Sequence, residues 1–243
     1  MSKKRNTFRI VGGLLFVIGI VFGFTLSSLI IWGDLEASLF TSGLRAEESL
    51  AIRCPVIITA SETGTISTIL KNPTEKSLER YLIASISEGY ASLVREIRTD
   101  LAIQPKDKEK VEWKIYPEDA AFNQRVVLFR VYINPRYPYP SLGANCGVVR
   151  VNVQGLSGNQ IFAGAVALSL ISLGAGATLL ETGGRPYIGR ARTTRNNTFA
   201  LAGMVLAAGA VGYLGLWVPA LALLAISVLL LGVLVSRLLA AAE

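Results

Sequence analysis

Three long apolar runs and one block of short alternating segments account for most of this chain. Residues 10 to 32 form 23 positions without a charge, residues 161 to 180 form 20, and residues 198 to 236 form 39. A bilayer core of about 30 Å takes about 20 helical residues to cross, so the first two runs predict single transmembrane helices at 10–32 and 161–180. The third run is too long for one helix, which at about 1.5 Å per residue would reach about 60 Å. Gly215, Trp217 and Pro219 mark a break, with Pro219 in a first turn where its missing N–H costs little. The run therefore predicts two helices, 198–216 and 219–239.

Between the first and second runs the period shortens to two. The block 49–155 reads as seven strands, near 50–60, 63–72, 78–87, 92–103, 109–116, 124–133 and 146–153. Asn72-Pro73-Thr74, Ser87-Glu88-Gly89, Gln104-Pro105-Lys106-Asp107 and Pro117-Glu118-Asp119 separate them with strong turn chemistry. Val111, Trp113 and Ile115 share one face while Glu112 and Lys114 take the other, as a half-buried strand requires. Seven short strands in such a block indicate a two-sheet sandwich. The expected fold is an α+β membrane protein: four transmembrane helices with an Ig-like β-sandwich inserted between helix 1 and helix 2. The linker 33–48 carries Asp34, which would cap a short helix at the membrane surface; an irregular linker is the alternative.

Charge gives this arrangement its sidedness. Residues 33 to 160 hold 15 basic and 15 acidic residues, so the whole net charge of +7 comes from outside them. It lies in the tail 1–9 (Lys3, Lys4, Arg5, Arg9), the loop 181–197 (Arg185, Arg190, Arg192, Arg195 against Glu181) and the C-terminal end. This positive-inside pattern places both termini and the Arg-rich loop in the cytoplasm, residues 33–160 outside it, and the protein in the cell membrane as a multi-pass chain. Membrane lipid is thus an expected partner, and nucleic acid is not, since it calls for basic charge on a folded surface.

Several stretches of the outer block have a familiar look. Thr65 to Asn72-Pro73-Thr74, then Ala102-Ile103-Gln104-Pro105, Val111-Glu112-Trp113-Lys114-Ile115 and Pro117-Glu118-Asp119-Ala120, resemble bacterial immunoglobulin-like modules of the CARDB type over residues 55 to 133. The resemblance implies a structural or adhesive accessory domain that binds without performing chemistry. The cysteine pair and the anchors on both sides depart from that pattern.

Cys54 and Cys146 are the only cysteines. They fall in the first and last strands, on the oxidising side by the topology above, so a disulfide is expected; two free buried thiols are the alternative. Without a single histidine, His-based triads and His-ligated metals are excluded. No P-loop, dinucleotide fingerprint or EF-hand spacing appears, so no cofactor, metal or small-molecule substrate is predicted. Small residues in the apolar runs, namely Gly19, Gly23, Gly164, Gly174, Gly176, Ala208 and Gly212, are expected at close helix contacts; for Gly19 and Gly23 the alternative is that Gly is simply common in membrane helices. The most unusual stretch outside the membrane is Asn134–Asn145, where Arg136, Tyr137, Pro138, Tyr139 and Pro140 combine a stiff backbone with residue types that dominate binding hot spots. One reading makes them the protein-contact site; the other has the tyrosines folded over the sandwich end or resting on lipid headgroups, with the prolines only stiffening a long hairpin. The functional expectation is a membrane-anchored interaction or scaffold protein for protein or envelope binding. An auxiliary subunit of a transporter or other membrane complex is second, and a membrane enzyme with unrecognised active groups third.

Overall fold

The computed structural model describes residues 2–40, 43, 46–183 and 190–239. They divide into a helical unit, Met1–Ile31 with Ala163–Glu243, and a sandwich unit, Trp32–Phe162.

In the sandwich unit the strands are β1 (Glu48–Ser49), β2 (Ile52–Arg53), β3 (Ile57–Thr59), β4 (Gly64–Lys71), β5 (Leu78–Glu88), β6 (Tyr90–Ile103), β7 (Lys108–Ile115), β8 (Val126–Ile133) and β9 (Leu142–Val151). One sheet runs β1-β9-β8-β5-β6 with β3 also on β9, and the other runs β2-β4-β7. The single first strand expected at 50–60 is therefore three pieces. β1 and β3 pair with β9 in parallel, whereas β2 crosses to pair with β4. Pro55, which lacks an N–H, stands between β2 and β3 and interrupts any continuous ladder.

Alternation builds the core. Ile66, Trp113 and Ile115 of the smaller sheet meet Leu82, Ala84, Ile86, Phe129, Val131 and Val148 of the larger one. The Trp113 and Phe129 ring centroids lie 5.3 Å apart. Each fully buried large apolar side chain here contributes about 1.5–3 kcal/mol.

Register defines two ends for this unit. Val126 pairs with Val149 at one end and Ile133 with Leu142 at the other, about 23 Å away at about 3.3 Å per residue. The Val126 end also holds β3, a 3-10 turn (Pro117–Asp119) and the single turn α2 (Ala121–Gln124). At the opposite end lie β1, the β8–β9 loop and Asn72. Asn72 is buried, and its amide donates to Lys76 O at 2.8 Å and Ile103 O at 3.0 Å.

The helix α1 (Ser2–Leu39) enters this unit at Trp32 without a break. Asp34 is thus no helix cap. Its Oδ1 instead accepts a hydrogen bond from Gly147 N at 3.3 Å, and its carbonyl accepts one from Asn145 Nδ2 at 3.3 Å. Gly33 and Gly147 lie backbone to backbone, and a Cβ on Gly147 would overlap the Gly33 carbonyl. Further along, Arg130 Nη1 donates to Phe40 O at 3.0 Å. The segment therefore runs along β9 and β8, starting from Trp32, whose ring centroid is 6.2 Å from that of Phe122 in α2. The first residue of α3 (Gly158–Gly183) lies at the same end: Gly158 N donates to Glu62 Oε2 at 2.6 Å.

The helical unit comprises the rest of α1 and α3, with α4 (Arg190–Tyr213) and α5 (Trp217–Leu239). α4 and α5 form the expected hairpin, turning at Gly215 with φ +77°. Among the described residues two helical stretches, not four, are long and apolar enough to cross a membrane: Ile10–Leu39 and Gly158–Thr182. Trp217–Val233 is a shorter apolar stretch. α4 differs from expectation because it opens at Arg190, on polar sequence, eight residues before its apolar run. Residues 184–189 of the expected Arg-rich loop, including Arg185, lie outside the described residues.

Candidate functional site

The β8–β9 connection spans residues 134–141, shorter than expected because β9 already begins at Leu142. Within it Arg136 and Tyr139 close a four-residue turn: Arg136 N donates to Tyr139 O at 3.0 Å and Tyr139 N to Arg136 O at 2.6 Å. The Tyr137–Pro138 peptide is cis, as suits a proline at the third position of such a turn.

Side chains from neighbouring strands pin the turn on both flanks. Arg136 Nη1 donates to Glu79 Oε2 at 2.8 Å. Arg80 Nη2 donates to Pro140 O at 3.0 Å, and its guanidinium carbon lies 5.7 Å from the Tyr139 ring centroid. That distance falls within reach of a cation–π contact. Asn134 N donates to Tyr81 O at 3.0 Å, and Ser141 Oγ accepts from Glu47 N at 3.0 Å. Arg80 is 7% exposed. Burial pushes its pKa below the ordinary arginine value, with Tyr139 acting in the opposite direction. A groove of about 350 Å³ beside the turn is lined by Glu79–Tyr81, Asp100–Ala102 and Arg136.

The two tyrosines have separate fates. Tyr139 is half-buried beneath Arg80, as in the alternative in which the tyrosines cover the sandwich end. Tyr137 is 98% exposed. Pro138 is exposed beside it, and Pro140 is half-buried. Sequence reasoning singled out this turn but missed its anchors, Glu79 and Arg80, which lie over fifty residues away in the chain.

Cys54 and Cys146 form a disulfide with a Cα–Cα distance of 6.7 Å. It joins the segment between β2 and β3 to β9. Among the described residues no three His, Cys, Asp or Glu side chains gather as metal ligands would.

The small residues of the helical unit divide as well. A Cβ on Gly19 would lie 2.6 Å from Leu173 Cγ, and one on Gly176 would lie 2.6 Å from Phe16 N. A Cβ on Gly23 would lie 3.1 Å from both Ser169 Oγ and Val205 Cγ1, one on Gly212 would meet Ile30 and Ala220, and Ala208 is buried. Ser169 Oγ donates to Gly19 O at 2.9 Å, adding a hydrogen bond to that close approach. Gly164 and Gly174 differ from expectation: a Cβ on either would meet nothing within 4 Å, because their helix turns them away from these contacts.

Fold and site together describe an immunoglobulin-like sandwich joined to apolar helices. The sandwich resembles CARDB-type modules. The chain is similar to the crystal structure of a CARDB domain from Pyrococcus furiosus, at 9% identity over 43% of this chain and 93% of that one, with a TM-score of 0.32. It is also similar to a beta-glucuronidase from Bacteroides uniformis, at 13% identity over 41% of this chain and 13% of that one, with a TM-score of 0.32. The likenesses concern the fold alone. The chain matches no protein-family model and no curated protein.

Proposed function

We propose that this chain is a membrane-anchored interaction protein that holds its sandwich outside the cytoplasm and presents the Arg136–Pro140 turn to a protein partner. One observation carries the reading: Tyr137 is almost wholly exposed on a turn fixed at both flanks, at the opposite end of β8 from Trp32 and Gly158. An aromatic side chain on a fixed backbone has only two torsions to lose on binding, which makes it an efficient anchor. Its position opposite the two anchor connections favours a protein partner over lipid headgroups.

The anchoring itself follows from the apolar lengths of α1 and α3 and from the charge asymmetry. In the fuller reading α4 and α5 cross too, since the uncharged run 198–236 folds as a hairpin. A hairpin returns to the side it starts from, so both termini are cytoplasmic with two spans or with four. Tyr137→Cys should then react with an impermeant thiol reagent in intact cells and Arg190→Cys should not; the reverse pattern overturns the topology.

The partner reading is tested by Tyr137→Ser, with co-purifying proteins and thermal stability both measured in mild detergent. Loss of partners at unchanged stability is expected, because a residue this exposed contributes within about 0.5 kcal/mol to folding. Retention of every partner refutes it. A second reading, an auxiliary subunit docking within the membrane, is favoured by Gly164, Gly174 and Gly203, which leave open small-residue surface on α3 and α4.

A further inference from the structure

The exposed large hydrophobic side chains of the sandwich unit are gathered at the end where α1 and α3 connect. Tyr90, 68% exposed, and Leu93 follow the β5–β6 hairpin turn, Phe122 lies on α2, and Val153 and Leu156 lie between β9 and α3. Elsewhere the described residues of this unit expose Leu39, Ile69 and Tyr137.

Phe122 has φ +50° and Asn123 φ +58°. A bulky side chain rarely takes this left-handed conformation, so it persists where the surroundings impose it. Here they do. Arg125 N donates to Ala121 O at 2.9 Å, Arg150 N to Arg125 O at 2.7 Å, and Arg150 Nη1 to Gln124 Oε1 at 2.8 Å. The outcome is an aromatic ring 39% exposed and set beside Trp32, the residue that closes the first uncharged run. Aromatic side chains next to the end of an apolar span are the mark of a membrane interface. The charges here are mixed, with Glu88, Glu118 and Arg125 all exposed, so attraction to anionic lipid has no basic patch to act through.

We infer that this end of the sandwich rests in the headgroup layer of the bilayer, with Phe122, Tyr90, Leu93, Val153 and Leu156 at interface depth beside Trp32. The inference rests on the membrane anchoring proposed above. Its occupant is lipid because both segments leading into apolar helices leave the unit at this same end. Such a seat would restrict rocking of the domain and point the Tyr137 turn away from the surface.

Photo-cross-linking tests it with the full-length protein in phosphatidylcholine nanodiscs, using benzoylphenylalanine placed singly at positions 32, 90, 122 and 137. Lipid adducts at 32, 90 and 122 should exceed those at 137 several-fold, with no change when phosphatidylglycerol is added. Adducts at 32 without adducts at 90 and 122 would overturn the inference and leave the anchoring intact. No adduct at 32 would overturn both. Protein–protein adducts from 90 and 122, or lipid adducts that require phosphatidylglycerol, would also overturn it. Should the variant at 122 fail to fold, position 90, with ordinary backbone, decides alone.

Discussion

Removing the Cys54–Cys146 bridge should sharply destabilise the sandwich. The bridge closes a segment with a sequence separation of 92. In the chain-entropy treatment this cross-link restricts the unfolded chain by about 4–5 kcal/mol. A domain of ordinary stability has about 5–15 kcal/mol in all, so the loss leaves the sandwich marginal. Packing adds to the effect, since Cys146 is buried in the core and Cys54 packs against it. The assay is urea unfolding of the full chain in detergent, for the wild type with and without reductant and for the Cys54→Ala, Cys146→Ala double variant. Both perturbed forms should lose about 4 kcal/mol, and the double variant somewhat more because two sulfurs leave the core. For a domain of this size the melting temperature should fall by about 12–20 °C. A loss below about 1 kcal/mol in both forms would refute the reasoning, because the unfolded chain would then gain no freedom from the broken cross-link.

Two other outcomes are expected. Gly176→Leu should lower the heat stability of the detergent-solubilised protein markedly, because its Cβ would press on the Phe16 backbone, whereas Gly174→Leu should leave it unchanged; equal effects would contradict the packing. Asp119 is held above its ordinary pKa of 3.8, chiefly by burial, despite the Tyr116 N–H and Arg95. The folded state therefore binds this proton more tightly than the unfolded state, so its contribution is present below the ordinary value and is lost as pH rises through the raised one. Asp119→Asn should remove that downward slope from a stability-versus-pH curve, and an unchanged slope would count against it.

The strand pattern was legible because turn residues separate the segments and because Val111, Trp113 and Ile115 alternate with charges. The disulfide was legible from the place of the two cysteines in the first and last strands and from the expected compartment. The three-way break of the first strand was not, since pairing with two different sheets is decided by partners far along the chain. α1 was expected to end at Trp32, but Gly33 and Asp34 find their contacts on Gly147, beyond the reach of local propensity. Gly164 and Gly174 resemble Gly19 and Gly176 in composition and differ only in which way their helix faces. At the candidate site the Pro/Tyr turn is legible, while Arg80 depends on tertiary placement that no spacing records, as does the exposure of Phe122 at the other end.

The parallel docking of β1 and β3 on β9 sets an order of assembly. The last strand of the sandwich is the template for the first, so neither piece can find its place until residues 142–151 are available. Contacts at such sequence separation form slowly, because a long loop must close before they bring any gain. β4 through β8 can meanwhile pair among themselves, β5 with its hairpin partner β6 and with β8, and β4 with β7. The two thiols come within reach only when β9 docks, so disulfide formation becomes a timer for completed folding: a chain halted before Leu142 keeps Cys54 without its partner.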